Sequence, residues 1–133
     1  MSPTHSTVVI ITYPICAAVT WRQRYMTVTN MREMFYGASS FNQPLNKWNV
    51  SNVTDMNDMF WDARSFNQPL NKWNVSNVEY MVGMFANANS FNQPLNNWNV
   101  SKVESMVGMF DEATSFNQPL HAPWYAVEQS DSE

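Results

Sequence analysis

A single cysteine, Cys16, in 133 residues excludes an intramolecular disulfide, so cysteine usage does not fix the compartment. The two histidines, His5 and His121, lie far apart without a cysteine or carboxylate at ligand spacing, which argues against a zinc site. Only three glycines are present, so there is no glycine-rich phosphate loop, and no serine or cysteine sits in a nucleophile-elbow signature. Charged residues make up just 14% and the formal net charge is −4, which leaves no basic footprint for nucleic acid. The mostly apolar run at 8–19 spans twelve residues and contains Thr12 and Pro14. That is short of the roughly 20 apolar residues of a bilayer span, so the chain is not expected to span a membrane. The run has the length of a signal-peptide core, with Cys16, Ala17 and Ala18 as small residues near a cleavage point. Residues 1–7 carry no lysine or arginine, however, and Ile15 precedes Cys16, so an apolar segment covering the first repeat is the competing reading. These absences together predict a protein that is not an enzyme and carries no cofactor and no metal.

What the sequence has instead is repetition. Phe-Asn-Gln-Pro-Leu recurs at 41–45, 66–70, 91–95 and 116–120, always 25 residues apart. Trp-Asn-Val-Ser recurs at 48–51, 73–76 and 98–101 at the same interval, and residues 46–70 match 71–95 at 18 of 25 positions. The chain therefore divides into a segment at 1–20, four copies at 21–45, 46–70, 71–95 and 96–120, and a remainder at 121–133. The first copy has drifted in its opening half, where Trp21, Arg22, Gln23 and Arg24 stand, but Val28, Met31, Met34, Phe35, Ala38 and Phe41 are in register.

Two periodicities follow each other within a copy. Leu70, Trp73, Val75 and Val78 have the spacing that opens a leucine-rich repeat, and Trp73 and Val75 alternate with Asn74 as on a short strand. Met81, Met84, Phe85 and Ala88 follow at i, i+3, i+4 and i+7, which predicts one face of a two-turn helix. The expected fold class is an α/β repeat solenoid, with short parallel strands and two-turn helices whose apolar faces are buried between neighbouring copies. The predicted core is Trp48, Trp73 and Trp98; Met56, Met81 and Met106; Phe60, Phe85 and Phe110; and Phe41, Phe66, Phe91 and Phe116. Neither terminal segment reads as a strong cap, so the chain is expected to belong to a longer array or to associate end to end.

The string Phe-Asn-Gln-Pro-Leu-Asn-x-Trp-Asn-Val-Ser-Asn-Val-x2-Met-x2-Met-Phe-x2-Ala resembles the repeat of mycoplasma- and listeria-type surface lipoproteins, the BspA-like leucine-rich repeat surface proteins. The resemblance covers 21–120. It implies a leucine-rich-repeat-like, right-handed coil on secreted or cell-surface proteins that often mediate adhesion. No catalytic residues come with that family. The chain departs from its pattern in lacking a clear lipid-attachment site, sorting signal or wall anchor.

Candidate sites are therefore sparse. The outward positions of the predicted sheet are Lys47, Asn49 and Ser51; Lys72, Asn74 and Ser76; and Asn97, Asn99 and Ser101. They form a polar, weakly basic strip that hardly varies between copies, which suits a repetitive partner such as a glycan polymer, or a protein, or else a purely structural role. Asn46, Asn71 and Asn96, like Asn49, Asn74 and Asn99, are expected to stack into hydrogen-bonded ladders. Asn49, Asn74 and Asn99 each also begin an Asn-Val-Ser sequon, and Asn52 an Asn-Val-Thr. Asp55, Asp58 and Asp62 do not match a calcium loop and read as a solvated helix face. Variation is concentrated at Trp61/Ala86/Asp111, Asp62/Asn87/Glu112 and Arg64/Asn89/Thr114. Trp61, the large apolar residue among these, is either an adhesive contact or a neighbour's cover.

Overall fold

The computed structural model describes residues 27–121 and Trp124. The segment at 1–20, the drifted half-copy with Trp21 to Arg24, and the acidic end of the chain lie outside the described residues.

The repeat organises everything inside them. Single-residue parallel bridges join Asn30 to Asp55, Asp55 to Tyr80 and Tyr80 to Ser105, so each copy meets the next with an offset of 25 residues. Aromatic side chains repeat the offset as three columns. Phe35, Phe60, Phe85 and Phe110 stack with centroids 5.4–5.8 Å apart, and Phe41, Phe66, Phe91 and Phe116 at 5.8–6.0 Å. Trp73 and Trp98 stack at 6.3 Å, and Trp124 continues the column at 6.1 Å. These are offset-parallel contacts at separations where aromatic pairs attract beyond their buried area. Within a copy the two phenylalanine columns also touch, Phe60 to Phe66 at 4.3 Å. The methionines, valines and leucines at equivalent positions complete a single continuous core.

The expected two-turn helix is absent from the described residues. Its four apolar positions are buried as the spacing requires, with Met81, Met84, Phe85 and Ala88 all inaccessible. The backbone reaches that result by another route. Met56, Asp58, Phe60 and Asp62 donate their N–H groups to the carbonyls of Tyr80, Val82, Met84 and Ala86 in the next copy, at 2.8–2.9 Å. Met59, Trp61 and Ala63 donate back to Met56, Asp58 and Phe60, three residues earlier. Asn57 N–H is taken by Asp55 Oδ1 at 2.9 Å, so every donor from 56 to 63 is satisfied without one i to i−4 bond.

The reason is conformational. Asp58 and Asp62 have φ of 56° and 60°, and Glu33, Gly37, Gly83, Asn87, Gly108 and Glu112 repeat the two left-handed positions in the other copies. Each is the third residue of a turn closed by the bonds above, the pattern of a type II turn. A left-handed residue every fourth position cannot belong to an α-helix. All three glycines of the chain lie there, together with Asp58, Asp62 and Asn87, whose side chains tolerate positive φ best, and with Glu33 and Glu112.

The strand expectation also needs correction. No strand runs through Trp73 and Val75 among the described residues; the segment is bracketed by two tight turns, with Trp73 N–H donating to Leu70 O and Val78 N–H to Val75 O. Alternation there buries Trp73 and Val75 and exposes Asn74, as a strand would, but main-chain pairing between copies is concentrated in the methionine segment.

Candidate functional site

In-register stacking gathers the predicted strip into columns. Lys47, Lys72 and Asn97 form one, Asn49, Asn74 and Asn99 the second, and Ser51, Ser76 and Ser101 the third. The first two columns and Ser101 are exposed, and Ser51 and Ser76 are half-buried. Beneath the strip lie Trp48, Trp73, Trp98, Val50, Val75 and Val100, all buried.

The asparagines do two different jobs, and only one matches expectation. Asn49 Oδ1 accepts from Ser51 N–H at 3.0 Å and from Ser51 Oγ at 2.6 Å, and Asn74 and Asn99 accept from Ser76 and Ser101 N–H in the same way. Each closes its own turn, and for Asn74 and Asn99 these bonds stand in place of the expected ladder along the stack. Asn46 and Asn96 reach beyond their own copy through the side chain, and Asn71 only through its main-chain carbonyl. Asn46 Oδ1 accepts from Lys72 N–H, Asn97 Nδ2 donates to Asn71 O, and His121 Nδ1 is paired with Asn96 Oδ1.

The most regular ladder escaped sequence reasoning. Asn67 N–H donates to Asn42 Oδ1 at 2.9 Å, and Gln68 Nε2 reaches Asn42 Oδ1 at 3.1 Å and Asn42 O at 3.3 Å. Asn92 with Gln93, and Asn117 with Gln118, repeat the arrangement. Trp73 Nε1 donates to Leu45 O at 2.8 Å and Trp98 Nε1 to Leu70 O at 2.9 Å, so each indole ties its copy to the leucine of the one before. The unvarying Phe-Asn-Gln-Pro-Leu was the signal: polar residues recur without drift where each makes the same bond to its own counterpart.

The variable side is also engaged. Trp61 stacks on Tyr36 at 4.8 Å with 9° between the planes, while Tyr36 itself stays 49% exposed. Asp62 is ion-paired to Arg64 at 2.7 Å. Asp55 is both the turn cap described above and a distant partner of Arg32 at 3.9 Å. Asp58 is half-buried; its burial raises its pKa above the ordinary 3.8, Arg32 opposes the shift, and Glu33 and Asp55 reinforce it. No group of acidic residues, histidine or cysteine among the described residues is arranged to hold a metal ion. The aspartates line a pair of turns, where a helix face was expected.

With this arrangement in view, comparison with known families is decisive on one point. A family profile described as "Mycoplasma protein of unknown function, DUF285" matches residues 18–124. The chain belongs to the DUF285 family. The match takes in every described residue from 27 to 121 and Trp124, so the DUF285 segment and the stacked copies coincide. Neither the curated proteins nor the solved structures contain a match to this chain. Among the described residues of this DUF285 protein, no helix is long and apolar enough to cross a membrane.

Proposed function

We propose that this DUF285 chain is a leucine-rich-repeat-like solenoid acting as a noncatalytic, surface or secreted binding module. Its ligand is a repetitive protein or glycan surface, taken along the strip formed by Lys47, Lys72 and Asn97 with Asn49, Asn74 and Asn99. The observation that carries the reading is the division of labour among recurring side chains. Those of the core and ladders are occupied in stacking, whereas the strip presents two residues per copy to solvent, Lys47 with Asn49, Lys72 with Asn74 and Asn97 with Asn99. The turns that fix Asn74 and Asn99 hold their side chains before any ligand arrives, which lowers the ordering cost of binding. The BspA-like resemblance supports a surface location and an adhesive role.

A glycan array probed with the folded chain tests it. Binding that weakens by at least about tenfold when Lys47 and Lys72 are both changed to Ala supports the strip as the site, a loss of about 1.4 kcal/mol. Binding indifferent to that change, or absence of binding by a chain that melts cooperatively, favours a purely structural spacer within a longer array.

A further inference from the structure

Each of the first three copies directs alternate main-chain N–H groups at the copy that follows. Gly83, Phe85 and Asn87, for instance, donate to Val107, Met109 and Asp111 carbonyls at 2.8–3.0 Å. The fourth copy keeps the same turns, closed by Met109, Asp111 and Ala113 N–H on Met106, Gly108 and Phe110 carbonyls at 3.0–3.1 Å. Its Gly108, Phe110 and Glu112 N–H groups are therefore held in the donating position, yet none has an acceptor among the described residues. A cavity of about 220 Å³ opens beside them, lined by Met106, Met109, Phe110, Leu120 and Trp124 among others. Trp124 Nε1 is the buried side-chain donor without a partner among the described residues, where Trp73 and Trp98 each have a leucine carbonyl.

The opposite end of the stack carries the complementary row. The carbonyls of Asn57, Met59 and Trp61 receive N–H groups from the first copy. Their counterparts in that first copy, on Arg32, Met34 and Tyr36, receive none among the described residues. Donors two residues apart at one end thus face acceptors two residues apart at the other, in the register used three times within the chain.

We propose that the Gly108–Phe110–Glu112 edge docks a second copy of this chain, head to tail, onto its Arg32–Met34–Tyr36 carbonyls. Met31, Met34 and Phe35 are already buried in their own chain, so the junction is made by the backbone rim and its flanking side chains. Such a contact is small and weak. It is also heterologous, so it builds an open series rather than a closed dimer.

Cysteine cross-linking reads both contact and polarity. Val107, 48% exposed, and Arg32 occupy equivalent positions in the fourth and first copies. Across the proposed junction they lie about 4.8 Å apart, within disulfide reach. In a Cys16→Ser background, chains carrying Val107→Cys and chains carrying Arg32→Cys are mixed at high concentration under mild oxidation. The expected result is mixed dimers in clear excess over like-with-like dimers, and a ladder of covalent oligomers from the chain with both substitutions. Like-with-like dimers in equal or greater amount, or no cross-linking at all, overturn the proposal.

Discussion

Gly83 shows how tightly the repeat constrains single positions. Its φ is +61°, and a Cβ there would run into Asp58 Oδ1 of the preceding copy. Gly83→Ala is expected to cost about 1–3 kcal/mol, from a left-handed non-glycine residue and the displaced carboxylate together, read by urea unfolding. Asp58 itself answers to pH. Burial raises its pKa above 3.8, so between 3.8 and the raised value the folded chain binds more protons than the unfolded one. Stability attributable to this group therefore falls as pH rises through that window and stays low at neutral pH. Asp58→Asn keeps a residue that tolerates positive φ and removes the charge. The variant is expected to melt higher than the parent at pH 7, with the advantage shrinking as pH falls through the window above 3.8 and lost below it; an unchanged difference across pH would contradict the assignment.

At the scale of the element, the Phe-Asn-Gln-Pro-Leu loop is held by main-chain and side-chain donors converging on one oxygen. Asn67 Oδ1 accepts from both Asn92 N–H, at 2.9 Å, and Gln93 Nε2, at 3.0 Å. Asn67→Ala is expected to cost about 1–2 kcal/mol, since Asn92 N–H loses its acceptor and Gln93 Nε2 keeps only its bond to the Asn67 main-chain carbonyl at 3.3 Å. Asn67→Asp retains the oxygen and should stay within about 0.5 kcal/mol of the parent. Equal losses in the two variants, measured by thermal or denaturant unfolding, would mean that Nδ2 and not Oδ1 is the group that matters. The methionine segment is the element where sequence and structure part. Its i, i+3, i+4, i+7 spacing is common to a two-turn helix and to the pair of turns that forms, because both bring every third and fourth side chain to one side. Gly83, Asn87, Gly108, Asp58 and Asp62 within that spacing were the legible sign against a helix.

The whole molecule is a sum of similar junctions. Because residues 71–95 meet their neighbours through the same bonds as the copies on either side, their deletion restores register directly between Leu70 and Asn96. The shortened chain is expected to remain cooperatively folded, with a denaturant m-value lower by roughly a quarter. Aggregation or loss of the cooperative transition would show that the copies are not interchangeable. Among the described residues, stacking of this kind leaves edges of unlike character, donors at one and acceptors at the other. A deletion that keeps both ends should leave head-to-tail cross-linking intact.

The sequence by itself determined the 25-residue period and the identity of the inward side chains, because hydrophobic spacing needs no partner to be read. Asn46 pairing with the next copy was legible for the same reason, as a polar residue that never moves. Only the tertiary structure decided the backbone path. Whether Met56, Asp58, Phe60 and Asp62 turn their N–H groups inward to a helix or outward depends on carbonyls at 80, 82, 84 and 86, which no single copy supplies. Once a neighbour offers them at 2.8–2.9 Å, every donor is met without a helix, and residues suited to positive φ make that route accessible. The same dependence leaves the last copy with donors set and no carbonyl to receive them among the described residues.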